Sequence, residues 1–219
     1  MAKAPVAGRV KTRLTPPLRP DQAAALARAA LEDTLAAVAG SRLAGRRVVA
    51  LDGAPDGWVP EGFELVAQRG EGLAQRLAAA FDHVGGPALL VGMDTPQVTS
   101  ELLDTGLASL ANGAGAVFGA APDGGYWAIG LTHPDPRVFD GVPMSERHTG
   151  AVQRERLSAL GLATHYLPSL RDVDTYEDAR LVAALVPGGR FAAALRDLTT
   201  YSAPDPAHSA PVMSSQRPR

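Results

Sequence analysis

The chain of 219 residues contains no cysteine. This absence excludes a disulfide framework, a thiolate nucleophile and a zinc–thiolate centre, so a bound metal would need oxygen or histidine ligands. The sequence also lacks an apolar run long enough to span a bilayer, and its basic start is not followed by the apolar segment of a signal peptide. These features predict a cytoplasmic protein without a membrane partner.

The chain carries little net charge, with a formal charge of -2 at pH 7 and a pI near 6.2. This balance gives no overall attraction to nucleic acid or to an anionic membrane, so small anionic ligands are better candidates than a long polyanion. The dinucleotide fingerprint G-x-G-x-x-G, the Walker sequence G-x-x-x-x-G-K and a nucleophilic serine motif are also missing.

Length and composition favour one α/β domain, with two smaller domains as the weaker alternative. Hydrophobic residues make up 46% of the chain and charged residues 20%, which is typical of a globular protein. The last residues are rich in proline and serine and poor in large apolar side chains. We therefore predict a single domain over residues 1–200 and a disordered tail over residues 201–219.

Positive charge is concentrated at the start of the chain, before the first acid at Asp21. Prolines and a glycine prevent this segment from forming a continuous helix, so it is predicted to be a cationic loop that leads into a helix near Pro20. Free backbone N–H groups at a helix start, together with basic side chains, suit a phosphate or pyrophosphate. An ordinary solvated basic arm is the alternative. The basic residues are Lys3, Arg9, Lys11, Arg13 and Arg19.

Short apolar runs alternate with helical patterns along the rest of the chain. They predict a three-layer α/β/α, Rossmann-like fold with a mostly parallel sheet and a small antiparallel insertion formed by a hairpin over 114–131. Such sheets bind ligands at the carboxyl ends of their strands. The predicted strands are 47–51, 63–67, 88–92, 114–120, 126–131 and 163–167, and the predicted helices are 21–38, 73–84, 100–110, 150–160, 175–185 and 190–198.

Aspartates follow two of the predicted strands. Asp94 comes directly after the run ALLVGM, and Asp172 and Asp174 lie between the last strand and a helix. Carboxylates from separate strand ends are the ligands that a hard divalent cation such as magnesium needs. Alternatively, Asp94 forms a local turn, and one of the other two caps the helix in competition with Thr175.

Two glycine-containing turns are candidates for close approach of a ligand to the backbone. In the first, a base or ribose could be admitted after the strand 63–67; in the second, aromatic side chains follow the turn and could cover a ligand. Alternatively, the small residues of the first turn only allow close packing, and the second turn is only a tight hairpin turn. His148 and Thr149, ahead of a helix, could meet an acceptor phosphate, although an exposed histidine is usually only a surface residue. The ligand-approach residues are Gln68, Gly70, Gly72, Gly124 and Gly125.

Four segments give the chain a family resemblance: AKAPVAGRVKTRL at 2–14, VGMDTP at 91–96, PDGGYWAIGL at 122–131 and RDVDTYED at 171–178. With them the chain resembles the nucleotidyltransferase-like glycosyltransferase A superfamily, and within it an uncharacterised bacterial branch often labelled as glycosyltransferase. It is more distantly similar to the phospholactate and phosphoenolpyruvate guanylyltransferases, through the run Thr149-Gly150-Ala151 near the acceptor.

The resemblance implies roles for individual residues. Arg9, Lys11 and Arg13 would handle the nucleotide phosphates, with Lys11, Arg13 and Asp94 as the catalytic set. Asp94 would bind magnesium or manganese, and Asp174, or as second choice Asp172, would complete the metal site.

Two departures from the resemblance stand out. Relatives begin with a buried apolar strand ahead of the AKAP segment, whereas only Met1 and Ala2 precede Lys3 here. Neighbouring strands would then carry unpaired backbone groups that cost roughly 1 to 3 kcal/mol each if buried, so we expect either an upstream start or an impaired product. Met144 stands where relatives tend to carry tryptophan, which bears on acceptor recognition.

The first functional hypothesis is magnesium-dependent transfer of a nucleotidyl group from a nucleoside triphosphate to a small phosphorylated or anionic acceptor. Lys11 and Arg13 suit the charge of a leaving pyrophosphate, and Asp94 stands alone where sugar-transferring members often carry D-x-D. Transfer of a sugar from a nucleoside diphosphate sugar is the second hypothesis. A nucleotide-binding protein without turnover is the third. Under each hypothesis the protein is expected to be a monomer or a homodimer.

Overall fold

The structure is a computed structural model that describes residues 1–201. The predicted disordered tail therefore lies outside the described residues, apart from Tyr201 at the end of the last helix. The strands are β1 Ala2–Lys3, β2 Val48–Asp52, β3 Glu64–Ala67, β4 Ala88–Val91, β5 Ala116–Ala120, β6 Tyr126–Leu131 and β7 Thr164–Leu167. The helices are α1 Pro20–Gly40, α2 Gly72–Val84, α3 Ser100–Ala111, α4 Thr149–Ala159, α5 Tyr176–Leu185 and α6 Arg190–Tyr201.

The strands pair into two hydrogen-bonded sets, which are called the two parts of the sheet. In one part β1, β2 and β3 pair in parallel, and in the other the order is β4-β6-β5-β7. Strand β6 is antiparallel to both β4 and β5, while β5 and β7 are parallel. The predicted hairpin is confirmed, with β6 as the antiparallel insertion.

The short strand β1 lies between the two parts of the sheet. Ala2 and Lys3 are opposite Leu51 and Asp52 of β2, and the amino group of Met1 donates a hydrogen bond to the Val91 carbonyl of β4 at 3.0 Å. The interpretation of the whole basic segment as a loop was wrong for these two residues. A strand of two residues is too short to give a periodic signal, and only its place in the sheet identifies it.

Helices cover both faces of the sheet and confirm the three-layer arrangement. Phe81 of α2 packs with Phe118 of β5 and Leu157 of α4 on one face. On the other face α1 packs against β2 and α3 against the second part of the sheet, and α5 and α6 pack against α1. None of the helices in the described part of the chain is long and apolar enough to cross a membrane.

Local capping fixes where two helices begin. Thr175 accepts a hydrogen bond from the backbone of Asp178 at 3.2 Å, and the Asp178 carboxylate accepts one from the Thr175 backbone at 2.9 Å. This reciprocal capping box starts α5. Thr175 is therefore the cap, and neither Asp172 nor Asp174 is needed for that purpose. At the start of α1, the Gln22 side chain accepts from the backbone of Arg19 at 2.9 Å.

Candidate active site

Four aspartates meet at one edge of the sheet. Strands β4, β5 and β7 run in the same direction, because β4 and β5 are both antiparallel to β6 and β7 is parallel to β5. The carboxyl ends of these strands therefore share an edge, where α/β proteins place their ligands. Asp94 follows β4, Asp123 follows β5, and Asp172 and Asp174 follow β7.

A backbone hydrogen bond joins two of these strand ends. The N–H of Val173 donates to the carbonyl of Asp94 at 2.9 Å, and the Val173 side chain is buried at 1% exposure. The Gln97 side chain donates to the Arg171 carbonyl at the same junction. Because Val173 is anchored in the core, the aspartates on either side of it are held beside Asp94.

Lys11 lies between the two predicted metal ligands. Its ammonium nitrogen is 2.9 Å from Asp94 Oδ1 and 3.3 Å from Asp174 Oδ1, and its side chain is only 10% exposed. Both contacts are ion pairs, and the contact with Asp174 is also a hydrogen bond. Lys11 also has a left-handed φ of 49°, which is uncommon outside glycine and concentrates at functional sites.

The other predicted phosphate-handling residues divide into two groups. Arg13 places a guanidinium nitrogen 3.1 Å from Asp174 Oδ2 and is 73% exposed, so it reaches the acids from the solvent side. Arg9 is exposed and forms no ion pair with any residue of the described range 1–201. The structure thus brings Lys11 and Arg13 into contact with the aspartates, and no such contact is found for Arg9 within the described residues.

Asp123, Asp172 and Asp174 form a tight acidic group, with one carboxylate oxygen from each within 4.8 Å of the others. Burial, helped by the charges of Asp123 and Asp174 and opposed by a smaller effect of Lys11, raises the pKa of the Asp172 carboxyl to about 6. Like charges gathered in a partly desolvated site favour a bound cation. Asp123 was not among the metal ligands predicted from the sequence. Its position directly after β5, a strand parallel to β4, is the signal that identifies it.

The raised pKa of Asp172 predicts an unusual pH dependence of stability. The folded state binds the Asp172 proton more tightly than the unfolded state, so this group's stabilising contribution is lost as pH rises from about 4 to 6. We expect Asp172→Asn to be more stable than the wild type at pH 7 by about 1 kcal/mol, after allowance for solvent screening of a partly exposed carboxyl. Thermal unfolding in chelator-containing buffer at pH 4.5 and pH 7 measures the difference.

Asp104→Asn serves as a control of opposite sign. A hydrogen bond from Ser41 and further backbone bonds lower the pKa of the Asp104 carboxyl, so its stabilising contribution is present above pH 4 and disappears with acid. This variant should be less stable than the wild type at pH 7. If Asp172→Asn also loses stability at pH 7, the ionised Asp172 carboxylate does not destabilise the folded state, and the prediction is contradicted.

Gln68, in the turn after β3, has a structural role. The Gln68 amide nitrogen donates to the Ala2 carbonyl at 2.8 Å and to the Ala50 carbonyl at 3.0 Å, so this side chain ties β1 to β2. Gly70 has a φ of 115°, and a Cβ there would lie 2.6 Å from the Gln75 side chain. Gly72, with a φ of 77°, has open space around it. The approach of a base or ribose to Gly70 and Gly72 stays a prediction.

The second glycine turn packs against the start of α4. A Cβ on Gly124 would overlap the Arg147 carbonyl, and the Gly150 N–H donates to the Gly124 carbonyl at 2.7 Å. Gly125 donates its N–H to Asp123 Oδ1 at 2.8 Å, which orients that carboxylate. Both predicted glycines therefore position Asp123 and the α4 start, and a direct contact of either with a ligand stays a prediction.

The two residues proposed for an acceptor phosphate differ in exposure. Thr149 is buried, and its hydroxyl donates to the Pro143 carbonyl at 2.7 Å, so it holds the loop that precedes α4. His148 is exposed, with its ring 3.4 Å from a Glu146 carboxylate oxygen. Met144 packs half-buried beside Tyr126, whose hydroxyl points to the sulfur at 3.9 Å. Of these residues, only His148 is free to meet a ligand from solvent.

Comparison with solved structures supports the fold. A protein from Desulfovibrio desulfuricans G20, described as a candidate nucleotide-diphospho-sugar transferase, is 28% identical with a TM-score of 0.80, over 91% of this chain and 95% of that one. A CMP:2-keto-3-deoxy-manno-octonic acid synthetase complexed with CTP matches at 13% identity and a TM-score of 0.55, over 85% and 95% of the two chains. A cytidylyltransferase from Leptospira borgpetersenii serovar Hardjo-bovis matches at 13% identity and a TM-score of 0.50, over 78% and 83%.

Comparison with curated proteins finds no match. Comparison with protein families finds one whose profile covers residues 23–146, which is more than half of the chain. That range contains Asp94 and Asp123, while Lys11, Asp172 and Asp174 lie outside it. The chain therefore belongs to the DUF2064 family, described as an uncharacterized protein conserved in bacteria.

Proposed function

We propose that this protein is a magnesium-dependent transferase that uses a nucleotide donor, and that it transfers a nucleotidyl group from a nucleoside triphosphate to a small phosphorylated or anionic acceptor. The observation that carries the proposal is the meeting of Lys11 and Arg13 with aspartates from separate strand ends. A site of this kind offers cations for phosphates and carboxylates for a metal at one edge of the sheet.

The residues present fit a magnesium ion. The carboxylate oxygens of Asp123, Asp172 and Asp174 lie close enough to share one cation, and Asp94 presents a further carboxylate after β4, 2.9 Å from the Lys11 ammonium nitrogen. Oxygen ligands alone, with no sulfur in the chain, match the preference of magnesium. Asp94 and Asp174 remain the first choice as ligands, with Asp172 and Asp123 beside them. When bound, the ion would neutralise charge that develops on the transferred phosphoryl group.

Lys11 and Arg13 are placed to change partners when a nucleotide binds. Without a ligand, both side chains neutralise Asp174, and Lys11 also neutralises Asp94. Phosphate groups carry more charge than a carboxylate and can accept two parallel bonds from the planar Arg13 guanidinium, whereas the mostly buried Lys11 acts as a point charge. Movement of both cations onto the phosphates would leave the carboxylates free for the metal.

Transfer of a sugar from a nucleoside diphosphate sugar is the second candidate. The Desulfovibrio protein is described as a candidate transferase of this kind, and its likeness to this chain extends over nine-tenths of both chains. Asp172 and Asp174 also have the D-x-D spacing, although they follow the last strand. This spacing is the feature that favours the sugar donor.

The products of two donor classes distinguish the candidates. The protein is incubated with magnesium, a panel of small phosphorylated and anionic acceptors, and either a nucleoside triphosphate or a nucleoside diphosphate sugar. We expect pyrophosphate from the triphosphate, dependent on both magnesium and acceptor. Release of nucleoside diphosphate from the sugar donor would select sugar transfer instead. Thermal stabilisation by nucleotide without either product would indicate a binding protein and overturn the proposed turnover.

A further inference from the structure

The loop between β7 and α5 carries two of the four aspartates across the sheet. Strands β6 and β5 lie between β4 and β7, so paired backbone alone would place the ends of β4 and β7 roughly 14 Å apart. Asp94, which follows β4, and Asp174, which follows β7, nevertheless contact the same nitrogen of Lys11 at 2.9 and 3.3 Å. The chain must therefore turn back from β7 over the ends of two strands. Residues 168–174 make this crossing and are called the strap.

Hydrogen bonds hold the strap to the strand ends that it passes. The indole N–H of Trp127, near the start of β6, donates to the Pro168 carbonyl at 3.1 Å. The N–H of Leu170 and the hydroxyl of Ser169 both donate to the carbonyl of Ala120, the last residue of β5, at 3.2 and 3.1 Å. These contacts fix the strap over β6 and β5, before it reaches the aspartates.

Gln97 holds the second half of the strap. Its amide nitrogen donates to the Arg171 carbonyl, directly before Asp172, and the residue is only 8% exposed. A carbonyl only accepts hydrogen bonds, so the amide nitrogen rather than the amide oxygen has to face the strap. The next residue, Val98, is buried in the same core cluster as Trp127. Because the core anchors the backbone beside Gln97, its side chain ties the strap to a fixed point.

We infer that Gln97 is a positioning residue that keeps the aspartates of the strap at the distance from Asp94 at which they share one metal ion. The inference rests on the proposed function, because the ion is the one that this function requires. Gln97 acts through the backbone of Arg171, which is one peptide bond from Asp172.

Metal affinity is more sensitive to this contact than the fold is. Within the described residues, two hydrogen bonds join the strap to the segment after β4, one from the Gln97 side chain and one from the Val173 N–H to the Asp94 carbonyl. Without the first, the strap can pivot about the second, while the buried Val173 side chain keeps it attached. Magnesium requires oxygen ligands at roughly 2.0–2.1 Å in near-ideal octahedral geometry. A small pivot is therefore enough to weaken its binding.

Gln97→Met tests the inference, because methionine matches the length of glutamine but donates no hydrogen bond. Mn²⁺ is titrated into the protein, first alone and then with inorganic pyrophosphate, and the bound ion is measured by its enhancement of water proton relaxation. We expect Mn²⁺ to bind about tenfold more weakly than in the wild type, an effect typical of residues that orient metal ligands. Hydrogen exchange of the Val173 amide, which is measured without metal, should be faster in the same variant.

Gln153→Met is the matched control. Gln153 is fully buried in α4, and its amide nitrogen donates to the Val138 carbonyl at 2.7 Å, so the substitution removes the same kind of hydrogen bond away from the strap. This variant should lose thermal stability and keep the wild-type affinity for Mn²⁺. Equal weakening of Mn²⁺ binding in both variants would indicate a general loosening of the protein and overturn the inference.

The remaining outcomes separate the inference from the proposed function. If the wild type binds no Mn²⁺ under either condition, the proposed metal site is wrong and the inference fails with it. Binding by the wild type that Gln97→Met leaves unchanged overturns the inference alone. If Gln97→Met does not fold, Gln97→Asn replaces it, because the shorter amide cannot reach the Arg171 carbonyl. Wild-type affinity for Mn²⁺ in that variant would equally contradict the role of Gln97.

Discussion

Asp94→Asn is expected to lower the turnover of the proposed transfer by about 10³-fold while the protein stays folded. Asparagine keeps the shape of the side chain but removes the charge that faces Lys11 at 2.9 Å. Asp174 still contacts Lys11, and the backbone bond between Asp94 and Val173 does not involve the side chain, so the loop junction is retained. Initial rates with magnesium and the active donor, together with the unfolding midpoint, measure both effects.

Asp56→Asn is the matched control for loss of one negative charge. Asp56 is exposed in the turn between β2 and β3 and forms no ion pair within the described residues. Its variant should keep full activity and full stabilisation by magnesium plus nucleotide. Unchanged turnover in Asp94→Asn would remove the proposed role of this carboxylate, whereas a global loss of folding in that variant would show that the Lys11 pair is structural.

Local patterns were sufficient to predict most of the fold. The helices begin and end within two residues of the predicted positions, apart from the end of α6, because proline, glycine and capping side chains mark their ends. The strand after 87 was predicted from its apolar run, and the hairpin from the turn between two such runs. In contrast, the two-residue strand β1 carries no pattern of its own, since its pairing with β2 depends on residues about fifty positions away.

The candidate site was predictable only where sequence position indicates a strand end. Asp94, Asp172 and Asp174 were found in this way, and Thr175 removed the competing interpretation of a helix cap once its hydrogen bonds were known. Asp123 was missed because a hairpin turn gives no reason to expect a ligand until the direction of β5 relative to β4 is fixed. Hydrogen bonds from side chains to distant backbone groups could not be predicted either, because the local sequence carries no pattern that indicates them.

Gly124→Ala is expected to destabilise the protein by about 3 kcal/mol or more and to lower the unfolding midpoint by about 10 °C. Two effects add: the residue has a φ of 94°, and its new Cβ would overlap the Arg147 carbonyl. Because the overlapping group is backbone, the loop before α4 must move as a whole and break the hydrogen bond from Gly150 to Gly124. Thermal or urea-induced unfolding measures the loss.

Gly113→Ala separates backbone strain from overlap. Gly113 has a φ of 98°, close to that of Gly124, but nothing lies within 4 Å of a Cβ placed there. Its alanine variant should therefore lose only about 1 kcal/mol, the usual cost of an unsuitable φ. Gly124→Ala should also alter the candidate site, because a displaced Gly124 would move Asp123 away from Asp172 and Asp174. The pKa of Asp172 would then fall toward its ordinary value. Equal losses of stability in both variants would show that the glycine turn does not pack against the start of α4.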